Sequence, residues 1–228
     1  MKKIFRDRRF LLLLLFPFLF YHNNSPIGPD SAVYLNVSHS IVTTGSLNIL
    51  PQVLSDVRPN QITPTNHTPI HQNIGGVIFI VPATLLAIAS QKTAQLVSGL
   101  PERFYEVPFY EGLWLGCIAY LFAAGSCFFI YRVARCYHTK TATVTALLLS
   151  VFGGPLLVYA AVFTCQTNLP VAFLSSLLLY IYHFADMKKS TSWLLMGAVL
   201  GLGTFVRSEF IVWGLLIVFA IVRELQAG

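Results

Sequence analysis

Apolar runs separated by short polar clusters set the pattern of this chain. Phe10–Tyr21 follows five basic residues (Lys2, Lys3, Arg6, Arg8 and Arg9), and later runs cover Ile74–Ala89, Leu113–Tyr131, Thr141–Phe163, Leu169–Ala185 and Trp193–Val222. Runs of this kind suit helices that cross a bilayer, which takes about 20 residues. The first is only 12 residues long, the size of a signal-peptide core, but no small-x-small cleavage site follows it. It reads as an uncleaved signal anchor over residues 1–21, with flanking Arg side chains reaching back to the interface and a cytoplasmic N-terminus. The last run holds 30 residues and is interrupted by Arg207-Ser208-Glu209. One span does not take a central ion pair cheaply, so two short helices meeting at a polar break are expected. A helix from the second run could extend to Leu100, with a kink at Pro82, and Gly153-Gly154-Pro155 predicts a break in the fourth run. Gly197, Gly201 and Gly203 offer small surfaces for close helix packing.

Residues 22–73 form the one long polar segment, read as an external loop. Its first part, Pro29–Asn48, predicts a short amphipathic helix at the membrane surface. Asp30 and Ser31 can cap it, Val33, Val37 and Ile41 fall on one stripe, and Gly45 supplies a stop. Asp30 and Asp56 are the only acids between Phe10 and Pro101. An acid this scarce, presented beside a membrane, is a candidate catalytic group; the alternative is a plain N-cap. Beyond the helix, Pro51, Pro59, Pro64 and Pro69 forbid long helices, and a loop of this length is usually functional. His67 and His71 are four apart, but Pro69 between them argues against one helical face, and no metal site is assigned. Asn36-Val-Ser38 and Asn66-His-Thr68 fit the N-glycosylation pattern.

Composition agrees with the pattern. The 228 residues are 55% hydrophobic and 11% charged, with mean hydropathy +0.67, against about 25% charged in a soluble domain. The net charge of +6 is not a nucleic-acid signal, because the Lys and Arg residues cluster at the ends of apolar runs, where orientation signals and lipid head-group contacts belong. Cys117, Cys127, Cys136 and Cys165 show no CxxC spacing and read as small core residues. No Walker loop, GxGxxG, HExxH or GxSxG is present.

The fold class expected is therefore all-α: a polytopic transmembrane helical bundle with a long first external loop carrying a short amphipathic helix. Residues 1–228 form one membrane module, with about five or six further membrane helices over 74–222. One difficulty remains in the topology. Placing every basic cluster on the cytoplasmic side needs an odd number of crossings between residues 22 and 132, yet two apolar runs lie there. Either Ile74–Ala89 is re-entrant or the Arg132–Lys140 cluster lies outside.

A cytoplasmic anchor, then an external helix opening on Asp in a D-x-x-x-Y-L pattern, resembles the polytopic GT-C glycosyltransferases, the superfamily of protein O-mannosyltransferases and aminoarabinose transferases. The residues that carry this are Asp30, Tyr34, Leu35, Ser40, Ile41 and Gly45. NIGGVIFIVPATLLA, GGPLLVYAAVF and MGAVLGLGTFVRSEF are similar to three further stretches of bacterial members. There are departures: Ser31 stands where the family often has a second acid, Asn73-Ile74 precedes Gly75 where Pro is usual, and Ser208 follows Arg207 where Pro is usual. Members also continue for several more helices, so the chain is read as an N-terminal part, incomplete at its C-terminus.

The resemblance implies transfer of a sugar from a polyprenyl-phosphate carrier to a lipid, glycan or protein acceptor on the non-cytoplasmic face, in the bacterial inner membrane. Asp30 is then the candidate base that takes the acceptor hydroxyl proton. Tyr34, Arg207 and Glu209 are the candidate substrate-binding residues, Arg207 for the lipid phosphate, which suits guanidinium fork geometry, and Glu209 to orient it. The alternative for Arg207 and Glu209 is a pair that only stabilises packing. No cofactor is assigned; divalent metal varies across the superfamily, and one acid is a poor metal site. The partners expected are the lipid-linked donor, its acceptor, membrane lipids and a C-terminal half or partner subunit. Rival readings are a non-catalytic or truncated membrane protein, and a transporter or flippase of lipid-linked sugars, which should show an internal repeat; none is evident.

Overall fold

The computed structural model describes residues 29–46, 74–98, 107–154, 156, 159 and 167–227. The signal anchor, His67, His71, Asp56, Arg58, Glu102, Glu106, Cys165 and the Asn66 sequon lie outside them. Among the described residues all regular structure is helical: α1 (Pro29–Thr44), a 3-10 turn (Ile74–Gly76) running into α2 (Val77–Ser98), α3 (Val107–Ala134), α4 (Lys140–Gly153), α5 (Asn168–Phe184), α6 (Ser190–Val206), a 3-10 segment (Ser208–Gly214) and α7 (Leu215–Ala227). This is the all-α architecture expected. Two helical stretches are long and apolar enough to cross a membrane, Val77–Val97 and Gly112–Ala134, and three shorter apolar helices accompany them.

Local chemistry sets the boundaries. Gly45, at φ 69°, ends α1 in the left-handed conformation that costs glycine nothing, and its N–H closes on the Ile41 carbonyl at 3.0 Å. Thr139 caps α4 by accepting from the Ala142 N–H, and Gly154 follows its last turn, where the Gly-Gly-Pro break was expected. Pro82 lies inside α2 without ending it; the helix runs on to Ser98, well past Ala89. The interrupted last run divides at Arg207, which is extended (φ −152°, ψ 118°) between α6 and the 3-10 segment.

That division is a reversal of the chain. Phe210 packs on Gly203, and Leu200 meets Gly214, so the segment after Arg207 runs back along α6. Phe210 is 2% exposed. Of the three glycines expected to mediate packing, Gly203 does so, whereas a Cβ on Gly197 or Gly201 would meet open space.

The other helices are organised along α3, whose 28 residues measure about 42 Å at 1.5 Å per residue. Its first half carries α2 and α1. Trp114 Nε1 donates to Ser90 Oγ at 2.9 Å, Leu115 shares a core with Ala83, Val37 and Tyr34, and Phe122 meets Phe79 edge-on at 5.2 Å. Its second half carries α5: Phe122 and Phe129 pack on Phe173, Phe129 on Tyr180, and Arg132 lies over the Phe184 ring. Thus α2 runs antiparallel to α3 and α5 runs parallel to it, both starting near its midpoint and leaving in opposite directions.

The helix α1 packs on α2. Val37 is fully enclosed, and the buried side chains include Ser38 and Ser40, which an apolar stripe through Val33, Val37 and Ile41 does not foresee. Ser38 Oγ and Thr84 Oγ1 share a buried hydrogen bond at 2.6 Å, satisfying two hydroxyls that would otherwise be costly inside. The Asn36-Val-Ser38 sequon is thereby tied up in helix packing.

Candidate functional site

The midpoint of α3 is where the sequence-derived candidates converge. The adjacent glycines Gly75 and Gly76, at the entry to α2, face two different elements. A Cβ on Gly75 would run into the Phe205 carbonyl and the Val206 nitrogen, the last peptide before Arg207. A Cβ on Gly76 would run into Thr167 Cγ2 and lie 3.5 Å from the Tyr34 ring. Four segments therefore meet here: the start of α2 lies backbone to backbone against the end of α6, and its second glycine takes the Tyr34 ring of α1 and the Thr167 side chain before α5. Only residues without side chains allow so close an approach.

Tyr34 is 7% exposed and its ring is packed over Gly76 and into the α1–α2–α3 core. It holds α1 in place at this junction. Asp30 lies four residues ahead, in the first turn of α1; the described side chains of α1 begin at Tyr34. Because Tyr34 meets Gly76 and Ser38 meets Thr84, α1 and α2 advance in the same direction. Asp30 therefore belongs to the end of α1 nearest the α5 and α6 termini.

Arg207 sits at the apex, its N–H bonded to the Gly203 carbonyl at 2.9 Å. Nη1 donates to Asn168 Oδ1, at the start of α5, and Nε faces Glu209 Oε2 at 3.5 Å. Arg207 is 43% exposed and Glu209 71%, so their ion pair is solvent-screened and worth at most about 1 kcal/mol. The pair predicted from Arg207-Ser208-Glu209 is present, but the neutral Asn168 is the closer partner. Nothing in the sequence marked Asn168; an Asn between the apolar runs, near the level where Arg207 must lie, is the one signal available.

The opposite end of the bundle has different chemistry. Arg132, Arg135, Lys140, Lys188, Lys189 and Arg223 all gather there: Arg132 over Phe184, Arg223 over Tyr182 at 4.9 Å, and the turn after α3 tied to α5 by Tyr137 Oη and His183 Nε2 at 2.8 Å. Among the described residues Asp186 and Glu224 are the acids at that end, each beside a cation of its own turn.

Among the described residues there is no group of His, Cys, Asp or Glu that could hold a metal ion, and Cys117, Cys127 and Cys136 are free. The site as described offers a guanidinium, an amide, two close glycine contacts and the helix that bears Asp30. Such a set suits recognition of an anionic group at a membrane interface.

No curated protein and no solved structure matches the chain. The family model described as dolichyl-phosphate-mannose-protein mannosyltransferase matches residues 112–227, just over half of the chain. That region holds Asn168, Arg207 and Glu209, while Asp30 and Tyr34 precede it. The chain belongs to this family, membrane glycosyltransferases of the GT-C type.

Proposed function

We propose that the chain transfers a sugar from a polyprenyl-phosphate carrier to an acceptor on the non-cytoplasmic face of a bacterial inner membrane. Asp30 takes the proton from the acceptor hydroxyl as that oxygen attacks the anomeric carbon. The anomeric C–O bond to the carrier breaks, and Arg207 stabilises the negative charge that develops on the departing lipid phosphate. Tyr34 keeps the Asp30 turn at the junction, and Glu209 restrains Arg207 from the solvent side. The observation that carries the reading is the pair Gly75-Gly76, which brings the Asp30-bearing helix and the Arg207 apex to one place.

Membrane placement supports it. The cations at the far end of α5 mark the cytoplasmic side by the positive-inside rule, so the Arg207 apex faces the other side. A helix of about 42 Å exceeds the bilayer core of about 30 Å, and α2 flanks the half of α3 that leads away from those cations. On this reading Val77–Ser98 enters the layer from the outer side without crossing it, although it is apolar enough to span. The N-terminal basic cluster, Arg132–Lys140 and Asp186–Lys189 then share the cytoplasmic side, which resolves the odd count of crossings. Cys136, exposed in the turn after α3, reports on this. With the other three cysteines replaced by Ser, an impermeant thiol reagent should label Cys136 only after cells are opened; labelling of intact cells would reverse the orientation.

Function is tested by transfer from a radiolabelled polyprenyl-phosphate sugar in membranes containing the chain, beside Asp30→Asn and Arg207→Ala. Transfer present in wild type and abolished by Asp30→Asn at equal protein level is expected. Undiminished transfer by Asp30→Asn would remove that residue from the mechanism.

A further inference from the structure

Asn168 opens α5 but is not used to cap it. The cap position is taken by Thr167, which has helical backbone angles (φ −66°, ψ −11°) and makes no side-chain cap bond. The Asn168 side chain reaches instead to Arg207, 39 residues further on. Its Oδ1 accepts a hydrogen bond from Nη1, while the Nε edge faces Glu209. Among the described residues Arg207 has no other side-chain partner, so the rest of the guanidinium fork is directed away from these two.

The choice of an amide has an electrostatic consequence. A carboxylate in this place would fix the guanidinium and also cancel its charge; the amide oxygen fixes it and leaves the charge in place. Among the described side chains the acid beside it is Glu209, which is mostly in solvent and 3.5 Å away. The start of α5 adds the positive end of a 17-residue helix to the same spot, beside a guanidinium that the exposed Glu209 compensates only weakly.

We propose that Asn168 is a positioning residue. It holds the Arg207 guanidinium at the apex with its charge uncancelled, so that the remaining N–H groups meet an oxygen of the donor phosphate. The proposal rests on the reading of Arg207 given above.

The test is initial-rate kinetics against the polyprenyl-phosphate sugar, in membranes with the full chain, for wild type, Arg207→Ala, Asn168→Ala and Asn168→Asp. Asn168→Ala should raise the donor KM about tenfold, the effect of one hydrogen bond to a charged group, with a smaller change in kcat. Asn168→Asp decides between positioning and simple structure. It keeps the acceptor oxygen and places an acid in the first turn of a helix, which favours folding, so a structural role predicts wild-type kinetics. Positioning predicts a donor KM raised at least as far as in Asn168→Ala, in a protein that melts no lower than wild type. An unchanged donor KM in Asn168→Asp overturns the proposal, and this variant remains decisive if Asn168→Ala fails to fold. An unchanged donor KM in Arg207→Ala removes the Arg207 reading itself, and the role of Asn168 with it; a raised KM in Arg207→Ala alone removes only Asn168.

Discussion

The two reversals that bracket α6 contain similar residues and are held in different ways. At Ala185–Lys189 the bonds are local. The Asp186 carboxylate accepts from the Lys188 N–H at 3.1 Å, and its carbonyl accepts from the Lys189 N–H and the Ser192 hydroxyl. Trp193 Nε1 closes on the Met187 carbonyl at 2.7 Å. Each of those bonds spans six residues or fewer. The Arg207 reversal also has local bonds, to the Gly203 carbonyl and Glu209, but adds two contacts remote in sequence: Asn168 on Arg207 and Gly75 on the Phe205–Val206 peptide. The first reversal is held by its own neighbours; the second is also tied to α2 and α5. A charge in an apolar run thus marks a junction between distant parts of the chain when its partners come from elsewhere.

Substitutions can break that contrast from either side. Gly75→Val should have the largest effect, since its side chain meets backbone that cannot swing aside. A loss of about 3 kcal/mol or more is expected, read as a lowered melting temperature in detergent together with lost transfer. Arg207→Ala should cut transfer about 100-fold, the usual cost of removing a group that stabilises developing charge, with little change in melting. Gly203→Ala pushes on the buried Phe210 ring and should cost about 1–3 kcal/mol. Trp193→Phe removes the indole bond to Met187 at the local turn and should cost about 1 kcal/mol in the melt. Lys189→Ala should change stability by less than about 0.5 kcal/mol, because its pair with Asp186 is exposed and 3.8 Å long, and should leave transfer within about twofold. A large transfer defect in Lys189→Ala would erase the distinction between the two ends.

Much of the fold was legible from single features. Pro29 and Gly45 bounded α1, Gly153-Gly154 ended α4, and Arg207 split the last run, because caps, glycines and intramembrane charges act on their own neighbours. The register between helices was not legible. Hydropathy cannot say that Phe122 meets Phe79 on one side and Phe173 on the other, since an apolar side chain looks the same facing lipid or helix. For that reason the stacking of α2 and α5 along α3, and the topology that follows from it, needed the structure. Arg207 and Glu209 were visible as costly charges. Asn168 was missed because a lone neutral amide signals nothing until its partner is known. The packing of Tyr34 over Gly76 was equally hidden, since the spacing that singled out Tyr34 carries no information about its neighbour.

The contact between Gly75 and Phe205 also fixes an order of events. The two residues are 130 positions apart, so during synthesis the α2 entry waits for the whole of α3 through α6 before it finds its seat. Closing so long a loop contributes nothing until its last contact forms, and the slow step of maturation is expected there. Until then the nascent protein carries its earlier helices without the junction that Gly75 and Phe205 close.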